Sequence, residues 1–88
     1  METVERRSDT LSSVRNAARI LNSFTADNPT QRVSDIALDL DLSKSTVSRL
    51  LATLALEGLV YKEPDTQEYR LGTNVLTMAG VLIHNMDI

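Results

Sequence analysis

The sequence lacks several residue types on which common protein functions depend. It has no cysteine, which excludes disulfide bonds, thiolate nucleophiles and cysteine-ligated zinc. Its single histidine, His84, cannot form a histidine pair for a metal or for acid–base catalysis. There is also no glycine-rich phosphate loop. We therefore expect no metal, no cofactor and no enzymatic activity.

Aromatic residues and long apolar runs are equally scarce. Phe24, Tyr61 and Tyr69 are the only aromatics, so a core must be built mainly from aliphatic residues and methionine. The polar N-terminus has no apolar segment typical of a signal peptide. The longest apolar region, Val75 to Ile83, is too short to cross a bilayer. These absences predict a cytoplasmic protein without a membrane partner.

A net charge of −3 argues at first against nucleic-acid binding, but the distribution of charge matters more than the total. Between Leu42 and Leu56 the chain contains Lys44 and Arg49 and no acidic residue. The acids collect on both sides of this segment. With 88 residues the chain makes one small domain, without room for a deep substrate cavity.

Residues 34–58 have the pattern of a helix, a tight turn and a second helix. The first helix is predicted over 35–40, capped by Ser34, and Asp41 occupies a bend that requires a residue tolerant of positive φ. Ser43 is the predicted cap of the second helix, 44–56. Its buried side follows helical spacing. That side consists of Val47, Leu50, Leu51 and Leu54.

The flanking segments predict one helix before this unit, and a hairpin and a helix after it. The first helix should run from Ser12 or Ser13, either of which could cap it, to Ala26. Gly58 suits a left-handed helix end, and residues 59–63 and 68–71 suit an antiparallel hairpin. Thr73 could cap a last helix over 74–85. The predicted buried face of the first helix consists of Val14, Ala17, Ala18, Leu21 and Phe24.

The second helix of the central unit has the side chains needed to read DNA. Arg49 is the leading candidate, because its guanidinium can pair with O6 and N7 of guanine. A phosphate clamp or a surface ion pair is the alternative role for Arg49. The predicted base-reading residues are Ser45, Thr46, Ser48 and Arg49. The predicted phosphate-binding residues are Ser43, Lys44, Thr53, Lys62 and Arg70.

The last helix is apolar over a wider surface than packing on a small domain requires. A second chain or a further domain should cover this surface. One small DNA-binding domain makes few contacts, which favours a homodimer on a full operator. The predicted dimer interface consists of Val75, Met78, Ala79, Leu82 and Ile83.

The order of elements is that of a winged helix-turn-helix, a mainly α fold with a small β-hairpin. The run LSKSTVSRLLATLALEGLV at 42–60, followed by YRLG at 69–72, resembles the IclR-type transcription regulators. The resemblance covers about residues 13–82. Asp41 departs from the glycine usual at the bend, and the acidic hairpin tip departs from a wing that binds phosphate strongly.

The resemblance implies a DNA-binding domain that normally precedes a ligand-sensing domain and pairs on a palindromic operator. Residues 1–11 would be a mobile tail, 12–72 the winged domain and 73–88 a linker and dimerisation helix. The sensing domain is absent from these 88 residues, so the chain would be part of a longer regulator or a reduced natural protein. A small-molecule effector would act only through that missing domain.

A winged-helix module that binds proteins is the alternative function. The acidic balance and the apolar last helix favour this alternative. The acid-free helix at 44–56, with its serine, threonine, lysine and arginine side chains, favours DNA.

Overall fold

The structure, a computed structural model, describes residues 10–86. The predicted tail, residues 1–11, falls outside this range except for its last two residues. Four helices and two strands follow one another, with the hairpin between the third and fourth helices. The elements are α1 (Ser12–Ser23), α2 (Val33–Leu40), α3 (Lys44–Leu56), β1 (Val60–Lys62), β2 (Tyr69–Leu71) and α4 (Thr73–His84).

The core lies where α1, α2, α3 and the hairpin meet. Ile20, Ile36, Val47 and Leu51 are its largest fully buried side chains. Burying side chains of this size is the main favourable contribution to folding, about 1.5–3 kcal/mol for each. The remaining buried apolar residues are Phe24, Ala37, Leu54, Val60 and Tyr69.

Helix α1 differs from its prediction at both ends. It stops at Ser23 instead of Ala26, because Thr25 and Asn28 exchange backbone hydrogen bonds of 3.3 and 3.0 Å in a tight turn. Its N-cap is Leu11, without a side-chain hydrogen bond. Ser12 therefore lies inside the first turn, and the predicted serine cap is wrong.

The buried face of α1 is also rotated from the predicted one. Ile20 is fully buried at its centre, and Ala17, Leu21 and Phe24 pack on the core around it. Val14 and Ala18 are exposed. Val14 lines an open groove between α1 and α3, since the two helices do not close over that position.

The bend between α2 and α3 has the predicted geometry. Asp41 is left-handed, with φ 57° and ψ 49°, and the Leu42 amide donates to the Ala37 carbonyl at 3.0 Å. Arg19 of α1 donates to the Leu40 carbonyl at 2.9 Å, which satisfies a free acceptor at the end of α2. The predicted Ser34 cap is wrong, because α2 already begins after Arg32, whose side chain makes no cap bond. These contacts set the angle at which α3 leaves α2.

The hairpin, or wing, is attached to the helical core by Gln31. Gln31 and Tyr69 exchange backbone hydrogen bonds of 2.9 and 2.8 Å, which make an isolated antiparallel bridge. The buried Gln31 side chain donates to the Ser23 hydroxyl at 3.0 Å. The wing is therefore held beside α1 and the start of α2.

Helix α4 leaves the domain through a glycine junction. Gly58 is left-handed, as predicted, and a Cβ on Gly72 would lie 2.3 Å from the Gly58 carbonyl oxygen. Asn74 donates through its backbone amide to Gly58 and through its side chain to the Glu57 carbonyl, both at 3.1 Å. Thr73 begins the helix and does not cap it, and α4 buries none of its residues.

Candidate nucleic-acid interface

The start of α3 is held by the predicted serine cap. The Ser43 hydroxyl accepts from the Thr46 amide at 3.1 Å and donates to the Thr46 hydroxyl at 2.9 Å. Ser45 Oγ is 3.3 Å from Ser43 Oγ. These three side chains share one hydrogen-bond cluster, which orders the first turn of α3.

The core holds α3 along one side and leaves its polar side in solvent. Val47, Leu51 and Leu54 are buried, whereas Ser48 and Arg49 are exposed. The Arg49 guanidinium has no hydrogen bond or ion pair with any residue between 10 and 86. A free guanidinium on an anchored helix can reach a base edge or a phosphate without first breaking an internal contact.

The predicted residues of α3 separate into two groups around the helix. Thr46, Arg49 and Thr53 line the groove between α1 and α3, and the Thr53 hydroxyl donates to the Arg49 carbonyl at 3.0 Å. Lys44 and Ser48 line a different cleft, which faces the wing. The predicted interface is thus a helix with a groove on each side.

A cluster that the sequence interpretation missed lies on the wing side of α3. Arg32 precedes α2, and it shares one cleft with Lys44 and Lys62. The only sign of this cluster in the sequence is that Arg32, a basic residue, directly precedes the helix-turn-helix. We call this the wing cleft. Its lining consists of Arg32, Val33, Ser34, Lys44, Ser48, Lys62, Gln67 and Tyr69.

The two basic residues predicted on the wing lie on opposite faces of the hairpin. Lys62 pairs with Tyr69 in the strand register, and its Nζ is 5.7 Å from the Tyr69 ring centroid. Arg70 pairs with Tyr61, packs 5.1 Å above that ring and binds Glu63 at 3.0 Å. Of the two, only Lys62 lines the wing cleft with α3.

The residues predicted to form a dimer interface lie on an uncovered helix. Met78, Leu82 and Ile83 are between 57% and 63% exposed, and Val75 and Ala79 are half-buried. Exposed apolar residues outside the predicted dimer interface continue around α4 and just beyond its end. These are Leu76 and Val81 on the helix and Met86 after it.

Two other kinds of site receive no support from residues 10–86. Within that range no three acidic or histidine side chains come together as a metal would require. None of the helices in the described part is long and apolar enough to pass through a membrane.

Comparison with known sequences identifies the helix-turn-helix. Residues 13–64 match the family profile described as the IclR helix-turn-helix domain. The chain is 33% identical over 78 residues to the HTH-type transcriptional regulator XynR of Escherichia coli K12, covering 89% of this chain and 31% of XynR. It is 35% identical over 69 residues to the transcriptional repressor AllR of the same strain, covering 78% of this chain and 26% of AllR. The chain thus spans about a third or less of these relatives.

Solved structures agree with the sequence matches. An IclR family transcriptional regulator from Brucella abortus superimposes with a TM-score of 0.84 and 25% identity, covering 91% of this chain and 30% of that one. A regulator from Alicyclobacillus acidocaldarius gives 0.77 at 29% identity, with 81% and 29% covered. These relatives are regulators, which confirms the predicted non-enzymatic class. The chain therefore belongs to the IclR family and comprises the winged helix-turn-helix DNA-binding domain of a transcription regulator.

Proposed function

We propose that this domain binds a specific palindromic operator as a homodimer, with α3 of each copy in the major groove. The observation that carries the proposal is the free Arg49 guanidinium on the exposed, acid-free side of a helix anchored by buried leucines. Helices of this class read bases through residues of their first turns. The matched relatives are named as regulators, which supports a role in transcription control.

Base readout is assigned to Arg49 and to the serine and threonine hydroxyls near the start of α3. Arg49 offers a bidentate contact to guanine, worth about 1–3 kcal/mol against a wrong base. Ser45 and Ser48 are exposed and can turn toward base edges. Thr46 is half-buried and its hydroxyl accepts from Ser43, so its contribution is restricted to what its own O–H, its second lone pair and its methyl group can reach.

Phosphate contacts are assigned first to Lys44 and Lys62, which share the wing cleft. Each supplies a compact positive charge, which suffices for a phosphate. Phosphate contacts by Ser43 and Thr53 remain predictions, because both hydroxyls already make hydrogen bonds to residues of α3. Arg70 also remains a prediction, and it would have to release Glu63 to bind phosphate.

Selection of duplexes from a random pool tests the readout directly. The wild-type chain should enrich a palindrome. Arg49→Ala should then weaken binding to that operator and relax preference at one position of each half-site. Arg15→Ala, which removes an exposed arginine from α1, is the matched control and should leave the preference intact. An unchanged preference in Arg49→Ala would contradict the readout assignment.

The role of Lys44 has a different signature. Lys44→Ala should weaken binding to all duplexes similarly and reduce the slope of log affinity against log salt by about 1. A loss confined to the selected operator would assign Lys44 to base readout instead.

The homodimer is assigned to the exposed apolar surface of α4. Sedimentation at tens of micromolar should show a dimer, and Leu82→Glu should dissociate it. Leu38→Glu introduces the same charge at an 82% exposed leucine of α2 and should leave the dimer intact. A strictly monomeric wild-type chain would contradict this part of the proposal.

The remaining parts of the proposal concern the whole regulator. A small-molecule effector would act through a sensing domain outside these 88 residues, and the protein would work in the cytoplasm, where its DNA is. The exposed apolar α4 also supports the second candidate, a module that binds another protein. A selection that enriches no duplex would favour that candidate over DNA.

A further inference from the structure

The wing cleft brings together three cationic side chains from separate parts of the chain. Arg32 lies before α2, Lys44 begins α3 and Lys62 ends β1. None of the described residues that line the cleft is acidic, although the protein carries a net charge of −3. This concentration of positive charge on an acidic domain marks the cleft as an anion site.

Neutral donors complete the lining of the cleft. Ser34, Ser48 and Gln67 carry hydroxyl or amide groups that can donate to phosphate oxygens. The Lys62 ammonium group lies over the ring of Tyr69, which is buried, with 5.7 Å between Nζ and the ring centroid. The cleft therefore offers both charge and hydrogen-bond donors beside the exposed face of α3.

One carboxylate is positioned to oppose binding in this cleft. Glu68 Oε2 is 3.9 Å from Arg32 Nε, and the Arg32 side chain is 55% exposed. A contact of this length is at the limit of an ion pair, and exposed pairs are weak. Arg32 can therefore exchange Glu68 for a stronger anion at little cost.

We propose that the wing cleft binds a backbone phosphate of DNA, with Arg32 as its third cation and Glu68 as an internal competitor for Arg32. The proposal rests on the DNA-binding function above and adds one contact and one inhibitory residue to it. Non-specific affinity comes almost wholly from phosphate neutralisation, so a competing carboxylate would keep the acidic domain from binding unrelated DNA.

Arg32→Gln tests the cationic role on a 24-base-pair duplex of random sequence and on the selected operator. The slope of log affinity against log salt should fall by about 1 on both duplexes. Affinity at 0.1 M salt should fall about five- to tenfold, since each neutralised phosphate contributes about 0.9 to the slope. Arg15→Gln removes the same charge from exposed α1 and should change the slope by less than half as much.

Glu68→Gln tests the competitor role. Affinity for the random duplex should rise about two- to fivefold, the range that weak exposed ion pairs allow. The gain should largely disappear in the Arg32→Gln background. Asp65→Asn is the matched control, because Asp65 is an exposed carboxylate of the wing turn with no ion pair to any residue between 10 and 86. An equal gain in that control, or a full gain without Arg32, would overturn the competitor role.

Duplexes with single methylphosphonates test whether the cations share one site. A neutral linkage at the contacted position of the operator should cost wild-type affinity and should abolish the further effect of Arg32→Gln and of Lys62→Gln. If the effects of the two variants were abolished by neutral linkages at two different positions of the operator, the wing cleft would not be one site.

The outcomes separate this inference from the proposed function. If the wild-type chain binds no duplex, the DNA-binding proposal fails and the inference fails with it. If the wild-type chain binds and Arg32→Gln retains the full salt slope, only the wing cleft assignment is overturned.

Discussion

Helices α3 and α4 are almost equal in length and both are rich in apolar residues, yet they are used in opposite ways. Helix α3 has 13 residues and buries Val47, Leu51 and Leu54. Helix α4 has 12 residues, has the more apolar sequence and buries none. Burial in this protein therefore follows the position of a helix among its neighbours and not its apolar content.

The neighbours explain the difference. Helix α3 packs against α1, α2 and β1, so its apolar side has a surface to cover. Helix α4 is attached at its start, where the Gly72 amide donates a hydrogen bond to the Leu59 carbonyl and Asn74 donates two more. Its apolar residues surround the axis, a pattern that suits a helix enclosed by other protein.

The largest difference in stability between the two helices should come from truncating one leucine in each. Leu51→Ala removes a fully buried side chain and should cost about 2–5 kcal/mol in the free energy of unfolding. Leu76→Ala, at a leucine that is 74% exposed, should change it by less than about 0.5 kcal/mol. Urea unfolding at low micromolar protein measures both. A cost above 1 kcal/mol for Leu76→Ala that grows with protein concentration would add Leu76 to the proposed dimer interface on α4.

The glycine junction gives the next largest effect. Gly72→Ala would bring a Cβ against the Gly58 carbonyl, where backbone atoms must move. We expect a destabilisation of about 1–3 kcal/mol, as for overpacked sites. Gly80→Ala is the control, because nothing lies within 4 Å of a Cβ there. Equal thermal stability of the two variants would mean that the junction is looser than the close approach indicates.

The helix caps offer a smaller and more local comparison. Ser43→Ala removes the hydroxyl that accepts from the Thr46 amide and should cost about 1 kcal/mol. Thr73→Ala, at the uncapped start of α4, should be neutral within about 0.5 kcal/mol. Chemical denaturation with both variants checks the difference. A larger loss from Thr73→Ala would assign a role to its hydroxyl that the described contacts do not contain.

The smallest effect is expected inside α4 itself. Gly80→Ala should stabilise the helix by about 0.5–1 kcal/mol, because glycine loses more backbone entropy than alanine. The exchange of α4 amides should slow by up to about fivefold. Exchange of the amides of Leu51 and Leu54 should not change, since α4 buries no residue against the core. Slower exchange at both places would mean that α4 and the core unfold together.

Several features controlled by neighbouring residues in the chain could be predicted, although the side-chain caps expected for α1, α2 and α4 were wrong. The bend at Asp41, the Ser43 cap and the left-handed Gly58 depend on backbone geometry over a few residues, and all three are present. The bounds of α3 were predicted for the same reason, since a cap begins the helix and a glycine follows its end. The apolar spacing of α3 also identified its buried side.

Features controlled by distant contacts could not be predicted. The periodicity of α1 allowed more than one buried face, and packing on α2 and α3 selected the face centred on Ile20. The wing cleft could not be predicted because Arg32 and Lys62 are thirty positions apart in the sequence. Arg70 and Lys62 looked equivalent in the sequence, and only the strand register separated them.

The sequence by itself determined the helix-turn-helix and the order of its elements, because these follow from local capping, turn chemistry and helical spacing. The family was indicated separately, by the resemblance of residues 42–60 and 69–72 to the IclR-type regulators. The tertiary structure alone decided which basic residues face α3 and which side of α1 is buried. These properties depend on which surfaces meet after the chain has folded, and the pairing of surfaces is not encoded in the spacing of any single segment.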